Sequence, residues 1–232
     1  MDRLDFIAKN YNESEGIEGA LTYFRNLEIL KFINGNNILN IGCGVGTIEK
    51  MLTADKNVIG IDGSNDKIEI ARSKEYLCKV NFQHEFVENF KSDVKFDTII
   101  MANIVEHLDN PVNVLKKLRN YLKDNGILII SVPNAPAFHK RIALSLGLIN
   151  NYYQLTEADI EKGHKTNFDK NSLKDIIISS NYNIKELHGF FFKPLPNKYM
   201  EKLPDDYFQA YYEIGHNFDD YCSSILAISS KI

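Results

Sequence analysis

The sequence predicts an α/β chain on a doubly wound, mostly parallel sheet, and three observations carry that prediction. Asn37 to Leu52 (NILNIGCGVGTIEKML) passes from a short apolar run through a glycine turn into a helical pattern with Ile48, Met51 and Leu52 on one face. Val58 to Ile61 (VIGI) is a second buried-strand run, and it ends at Asp62, twenty residues after Gly42. Apolar runs and helix-spaced segments then keep alternating as far as Pro133.

The glycines Gly42, Gly44 and Gly46 have a physical use. Without Cβ atoms the backbone turns sharply, and a ligand can lie against the main chain, facing the N–H groups where the helix begins. An acid at the tip of the second strand is placed to accept hydrogen bonds from two ribose hydroxyls. Together these features point to an adenosine-containing ligand at the carboxyl ends of the strands. Dinucleotide enzymes space their glycines G-x-G-x-x-G, whereas here the spacing is G-x-G-x-G, one residue tighter.

That loop resembles motif I of the class I S-adenosylmethionine-dependent methyltransferases. The resemblance runs from about Glu18 to the end. It implies a Rossmann-like methyltransferase fold: one domain over 1–232, seven strands, an antiparallel last strand and a small cap inserted after strand five. It also implies S-adenosyl-L-methionine as methyl donor and S-adenosyl-L-homocysteine as product. In the family the loop wraps the methionine part of the donor, and the acid after strand two, here Asp62 with Gly63 beside it, binds the ribose.

Composition bounds the rest. The chain has 232 residues, enough for one large domain. A net charge of −4 and a pI near 5.9 argue against a general nucleic-acid or membrane-surface binder. Three cysteines, Cys43, Cys78 and Cys222, form no close pair, so neither a disulfide framework nor a zinc signature is read. No signal-peptide core or membrane-spanning apolar run appears, and the expected setting is cytoplasmic. Partners are expected to be a small-molecule acceptor and no nucleic acid, with the chain a monomer or homodimer.

Along the chain, residues 1–35 read as an N-terminal lid and a helix. Tyr11 sits in the polar lead-in and is placed to cover the donor, or is simply a partly exposed aromatic. Leu21, Phe24, Leu27, Leu30 and Ile33 give helical spacing over Glu18 to Ile33, stopped by Asn34-Gly35-Asn36. Ser64 caps the next helix, with Ile68 and Ala71 on its buried face. Val80 to Phe82 begins strand three. In the family the loop after it touches adenine; here that implies Phe86 and Val87, with Phe86 alternatively a core anchor.

Phe96 to Met101 (FDTIIM) is strand four. The resemblance makes its tip, Met101, Ala102 and Asn103, line the pocket between donor and acceptor. Pro111 opens a helix with Val114, Leu115, Leu118 and Leu122 buried, ended by Asn125-Gly126. Ile127 to Val132 (ILIISV) is strand five. Residues 135–168 break the alternation and read as the acceptor-site cap, beginning with a short helix over Ala135 to Gly147. Asp169 to Ser180 is a helix, Ile184 to Phe192 strand six, Pro204 to Ile214 a last helix, and Tyr221 to Ser229 the last strand.

Two positions depart from the family pattern. Asn40 stands where most members carry an acid, and it lacks the charge that would offset the donor's ammonium group. Phe86 stands where an acid often meets the adenine, and an aromatic there can stack on it. Asp62 is therefore the one carboxylate expected to bind the donor.

A sulfonium makes its methyl group electrophilic, so the protein must chiefly hold acceptor, methyl and sulfur in line. An alcohol acceptor also needs a base near the transition state, and histidine suits this. The candidates are His107, His139 and His164; the alternative readings are a loop-orienting histidine for His107 and cap structure for the other two. Lys140, Arg141 and Lys193 are candidates for an acidic group on the acceptor, or are solvated cations. No helix-spaced ligand pair appears, so no metal is expected. The segments GHKTNFD and GFFFKPLPNKYM and the acidic-aromatic tail resemble a subgroup of stand-alone small-molecule methyltransferases associated with surface-sugar biosynthesis, and this resemblance implies O-methylation of a small polar acceptor, such as a sugar or other surface-glycan precursor. A quinone-type O-methyltransferase and a small-molecule N-methyltransferase stand as alternatives. An NAD-dependent oxidoreductase and an inactive scaffold are the readings from other classes.

Overall fold

The computed structural model describes residues 16–232, so the Tyr11 lid expectation falls outside the described residues. Helix α1 (Gly16–Leu30) buries Ile17, Phe24 and Ile29, and it also buries the polar Thr22, Asn26 and Glu28. Strands β1 (Asn37–Ile41), β2 (Asn57–Asp62), β3 (Lys79–His84), β4 (Phe96–Ala102), β5 (Leu122–Pro133), β6 (Tyr182–Phe190) and β7 (Ser224–Lys231) form one sheet. Its order is β3-β2-β1-β4-β5-β7-β6. The pairs among β1 to β5 are parallel, while β7 runs antiparallel to both β5 and β6. The expected seven-stranded, doubly wound sheet with an antiparallel last strand is therefore present.

Helices α2 (Asn65–Arg72), α3 (Pro111–Arg119) and α6 (Lys170–Ser179) are capped at the places the sequence marks. The Ser64 and Asn110 side chains accept from the backbone N–H three residues on, and Asp169 forms a capping box with Ser172. Apolar side chains on the two faces of the sheet build separate cores, one around Leu39, Met101 and Leu128 and one around Ile38, Ile100 and Ile129. This is the pattern of strands buried on both faces. Between β5 and α6 lie α4 (Phe138–Ser145) and α5 (Glu157–Glu161), and between β6 and β7 lie α7 (Asn197–Met200) and α8 (Asp205–Gly215).

Two expectations need correction. The segment after the glycine turn is not an α-helix but a tight 3₁₀ turn over Glu49–Met51, closed by Met51 N–H to Ile48 O at 2.9 Å. Val45, Gly46, Thr47 and Ile48 are β-branched residues and a glycine, all poor helix formers. Leu122 belongs to β5 rather than to α3, because α3 ends at Arg119 and Leu122 pairs with Phe96 on β4.

Order along the sheet reverses beside β1, whose neighbours are β2 on one side and β4 on the other. Such a reversal leaves a crevice at the carboxyl ends of the strands.

Candidate active site

At that crevice lies a cavity of about 590 Å³. Its floor is the glycine turn. Gly42, Gly44 and Gly46 all take positive φ, at 71°, 57° and 79°. The Gly42 and Cys43 amides both donate to Ile61 O, which folds the turn back onto β2. At the tip of β2, Asp62 accepts from the Gly44 amide at 2.9 Å through Oδ2 and from the Ser64 amide at 2.8 Å through Oδ1. Gly42, Gly44, Asp62, Gly63, Phe86, Val87, Ala102 and Asn103 all line the cavity, as expected. Phe86 is 43% exposed, so the core-anchor reading falls.

Three donor-side expectations do not hold. Asn40 is buried behind the turn and donates to Glu49 Oε1 at 2.7 Å, away from the cavity. Met101 is fully buried within the sheet core. Gly46 faces Tyr76, whose hydroxyl a Cβ at this position would meet at 2.2 Å.

Across the cavity stand two of the three predicted histidines. After β4 the chain turns at Asn103, which takes φ 55° and binds back to Ser131 O, and it enters a 3₁₀ turn over Val105–His107. His107 and His164 meet edge to face with ring centroids 4.9 Å apart, although they lie in different segments of the chain. Backbone bonds from Lys165 and Thr166 to Glu106 O hold those segments together. Burial brings the His164 imidazole down to about 4, with the neighbouring His107 acting the same way, and burial also lowers His107. Both rings are thus held neutral near neutral pH, the form that accepts a proton.

Glu106 was missed in the sequence. It is 1% exposed, neither carboxyl oxygen has a partner among the described residues, and burial pushes it up to about 8. Ligand atoms of Glu106, His107 and His164 lie within 4.8 Å of one another. These three could together hold a metal ion, a grouping that the absence of helix-spaced ligand pairs in the sequence did not suggest. Sequence spacing hid it because His164 joins from fifty-seven positions away.

The cap contributes less than expected. Of the cap side chains expected to act in the site only His164 lines the cavity, beside its cap neighbours Lys162, Gly163 and Lys165. His139 does not line it; burial lowers its imidazole to about 2 beside Lys193 and Lys140. Lys140 instead pairs with Asp159 at 3.7 Å. Arg141 donates to Pro136 O and lies over the rings of Tyr152 and Tyr221. Lys193, lowered to about 8 by burial and facing Glu18, also stays outside the cavity wall. The wall is completed from α1 by Glu18, Thr22 and Arg25, side chains whose helix the sequence predicted but whose inward face it did not. Burial carries the Cys43 thiol far above its ordinary range, so it is no nucleophile.

Comparison with known proteins fits this geometry. A family model described as "Methyltransferase domain" matches residues 14–187. The chain is 33% identical over 173 residues to the ubiquinone biosynthesis O-methyltransferase of Rickettsia akari, covering 73% of this chain and 66% of that protein. It is 31% identical over 193 residues to the same-named protein of Rickettsia felis, covering 81% and 77%. Among solved structures, the plantazolicin methyltransferase BpumL in complex with a monoazolic desmethylPZN analog and SAH superposes with a TM-score of 0.63 at 20% identity, over 97% of this chain and 89% of that one. The names of the two Rickettsia relatives match the quinone-type expectation rather than the surface-sugar one.

Proposed function

The chain belongs to the methyltransferase-domain family, and on that premise we propose that it is an S-adenosylmethionine-dependent O-methyltransferase whose acceptor is an aromatic hydroxyl of a quinone precursor. One observation carries the reading. A single cavity has the glycine turn and Asp62 on one wall and two neutral histidines, His107 and His164, on the other.

The donor supplies an electrophilic methyl group. Asp62 would hold the ribose hydroxyls, Gly42 and Gly44 would let the methionine part lie on the backbone, and Phe86 and Val87 would border the adenine. Ala102 and Asn103 line the same cavity and would border the point where acceptor and methyl are held in line. His107 or His164 takes the acceptor's proton as the new O–C bond forms, and the electron pair of the broken C–S bond stays on sulfur. Apolar walls from Ile61, Val87, Ile104 and Leu108 suit a ring better than a sugar.

Calorimetry with S-adenosylhomocysteine and transfer of labelled methyl to a catechol probe test this together. The expected result is heat on titration and a labelled ether. A chain that gives no heat with the donor or its product overturns the donor assignment, and label appearing on a hexose but not on the catechol overturns the acceptor class.

A second reading of the proton-accepting wall is favoured by the unpartnered carboxyl of Glu106 beside His107 and His164. Two imidazoles and a carboxylate suit a divalent cation, which would lower the pKa of a bound hydroxyl. Titration with cobalt(II) followed by its visible absorption checks this independently of activity. A saturable spectrum lost in Glu106→Gln supports the cation, and an unchanged spectrum leaves the histidines as bases.

A further inference from the structure

Behind the glycine turn, Asn40 and Glu49 are 1% and 0% exposed. Asn40 Nδ2 donates to Glu49 Oε1 at 2.7 Å. The other oxygen of each side chain, Asn40 Oδ1 and Glu49 Oε2, is buried and has no hydrogen-bond partner among the described residues. A carboxamide and a carboxyl joined by one bond thus leave two acceptors unmet, and a buried acceptor without a donor is costly. One proton on Glu49 supplies the missing donor: Oε2–H donates to Oδ1, closing a planar ring of two hydrogen bonds.

We propose that Glu49 is held in the folded chain as a neutral acid doubly bonded to Asn40, and that this pair is a positioning device for the donor-binding turn. The placement gives the device its purpose. Asn40 lies on β1 just before Gly42, and Glu49 follows Gly46, so the pair ties together the two ends of the segment that carries all three glycines. Glycine-rich backbone has much conformational freedom to lose, and a clamp at its base limits it before the ligand arrives. Around the carboxyl stand Cys43 from the turn, Cys78 and Tyr76, all neutral groups, and the Cys78 thiol reaches the Glu49 main-chain oxygen at 3.5 Å. No cation faces Glu49 among the groups that act on its titration, and burial pushes its carboxyl up to about 7. Ionisation there would set lone pair against lone pair and bury a bare charge.

The sign follows from that upward shift. The neutral form is favoured by folding, so its contribution is complete below the unfolded value of 4.5 and is lost as pH rises towards about 7. The proposal's role for the turn rests on the donor assignment above, but the clamp itself is tested without donor.

The experiment compares the wild type with Glu49→Gln, whose amide keeps both hydrogen bonds and cannot ionise. Melting temperature is followed from about pH 5 to about pH 8, with infrared difference spectra between the two proteins at the acid end. The wild type is expected to lose more melting temperature across this range than Glu49→Gln, and to show a protonated-carboxyl stretch that the variant lacks. In a second arm, the wild type's affinity for S-adenosylhomocysteine falls with pH by several-fold more than the variant's. Equal pH dependence of melting, or no such stretch, overturns the neutral pair. Failure of Glu49→Gln to fold also overturns it, because an amide meets every bond proposed, and the wild-type melting profile still stands as a check without any variant. Loss of donor binding in both proteins at every pH strikes the donor assignment alone, while a pH-independent affinity ratio with the spectral result intact overturns only the positioning role.

Discussion

The Gly44 amide donates to Asp62 Oδ2 at 2.9 Å, joining the middle of the glycine turn to the tip of the neighbouring strand. The other carboxyl oxygen accepts from Ser64, which caps α2. One side chain therefore fixes the turn and the helix start together while facing the cavity, so turn geometry and the proposed ribose contact share a residue.

Replacing Asp62 tests that sharing. Asp62→Ala is expected to weaken S-adenosylhomocysteine binding by about 1–3 kcal/mol, roughly fivefold to more than a hundredfold, through lost charge-assisted bonds. Calorimetry measures it, and an unchanged affinity contradicts the ribose assignment.

Gly42 tolerates no side chain. A Cβ there would lie 1.9 Å from Ile104 Cδ1, and φ is already 71°. Gly42→Ala is expected to lower the melting temperature and to reduce donor affinity at least tenfold, since both strain and the displaced Ile104 act at the cavity wall. Pairing the change with Ile104→Ala should recover part of the loss, which thermal melts of the single and double variants will report.

The histidines separate by position. His164→Ala or His107→Ala should reduce turnover by about 10²-fold with donor affinity nearly unchanged, as expected for a base acting at the acceptor. His139→Ala should leave turnover within a few-fold of wild type, because its ring does not line the cavity. Steady-state kinetics on the three variants distinguishes these outcomes; a large loss in His139→Ala alone would move the base into the cap.

Glu28 governs acid stability. Its buried carboxyl accepts from Tyr212 Oη at 2.6 Å and Lys31 Nζ at 2.7 Å, and His188 lies 3.5 Å away. Burial acts to raise it, but hydrogen bonds from His188, Lys31 and Tyr212 outweigh burial and hold it at about 2 against an ordinary 4.5. A depressed carboxyl contributes stability above the unfolded value and loses it as pH falls through the folded one. The melting-temperature gap between wild type and Glu28→Gln should accordingly be largest above about pH 5 and close towards about pH 2. A gap that stays constant over that interval contradicts the assignment.

What the sequence determined by itself was local or periodic. The apolar runs marked β1, β2, β4 and β5 because a parallel strand buried on both faces must be apolar throughout. The tight glycines and Asp62 marked one wall of the cavity because both lie in short stretches whose geometry is set by the backbone. What only the tertiary structure decided was which polar side chains meet. Glu106, His107 and His164 converge because the turn after β4 and the end of the cap pack together, a contact over fifty-seven positions that no spacing displays. The same packing turned His139, Lys140 and Arg141 away from the cavity and set Asn40 on Glu49 instead of the donor. A strand announces its burial through its own composition, whereas the partner of a polar side chain depends on where the rest of the chain comes to lie.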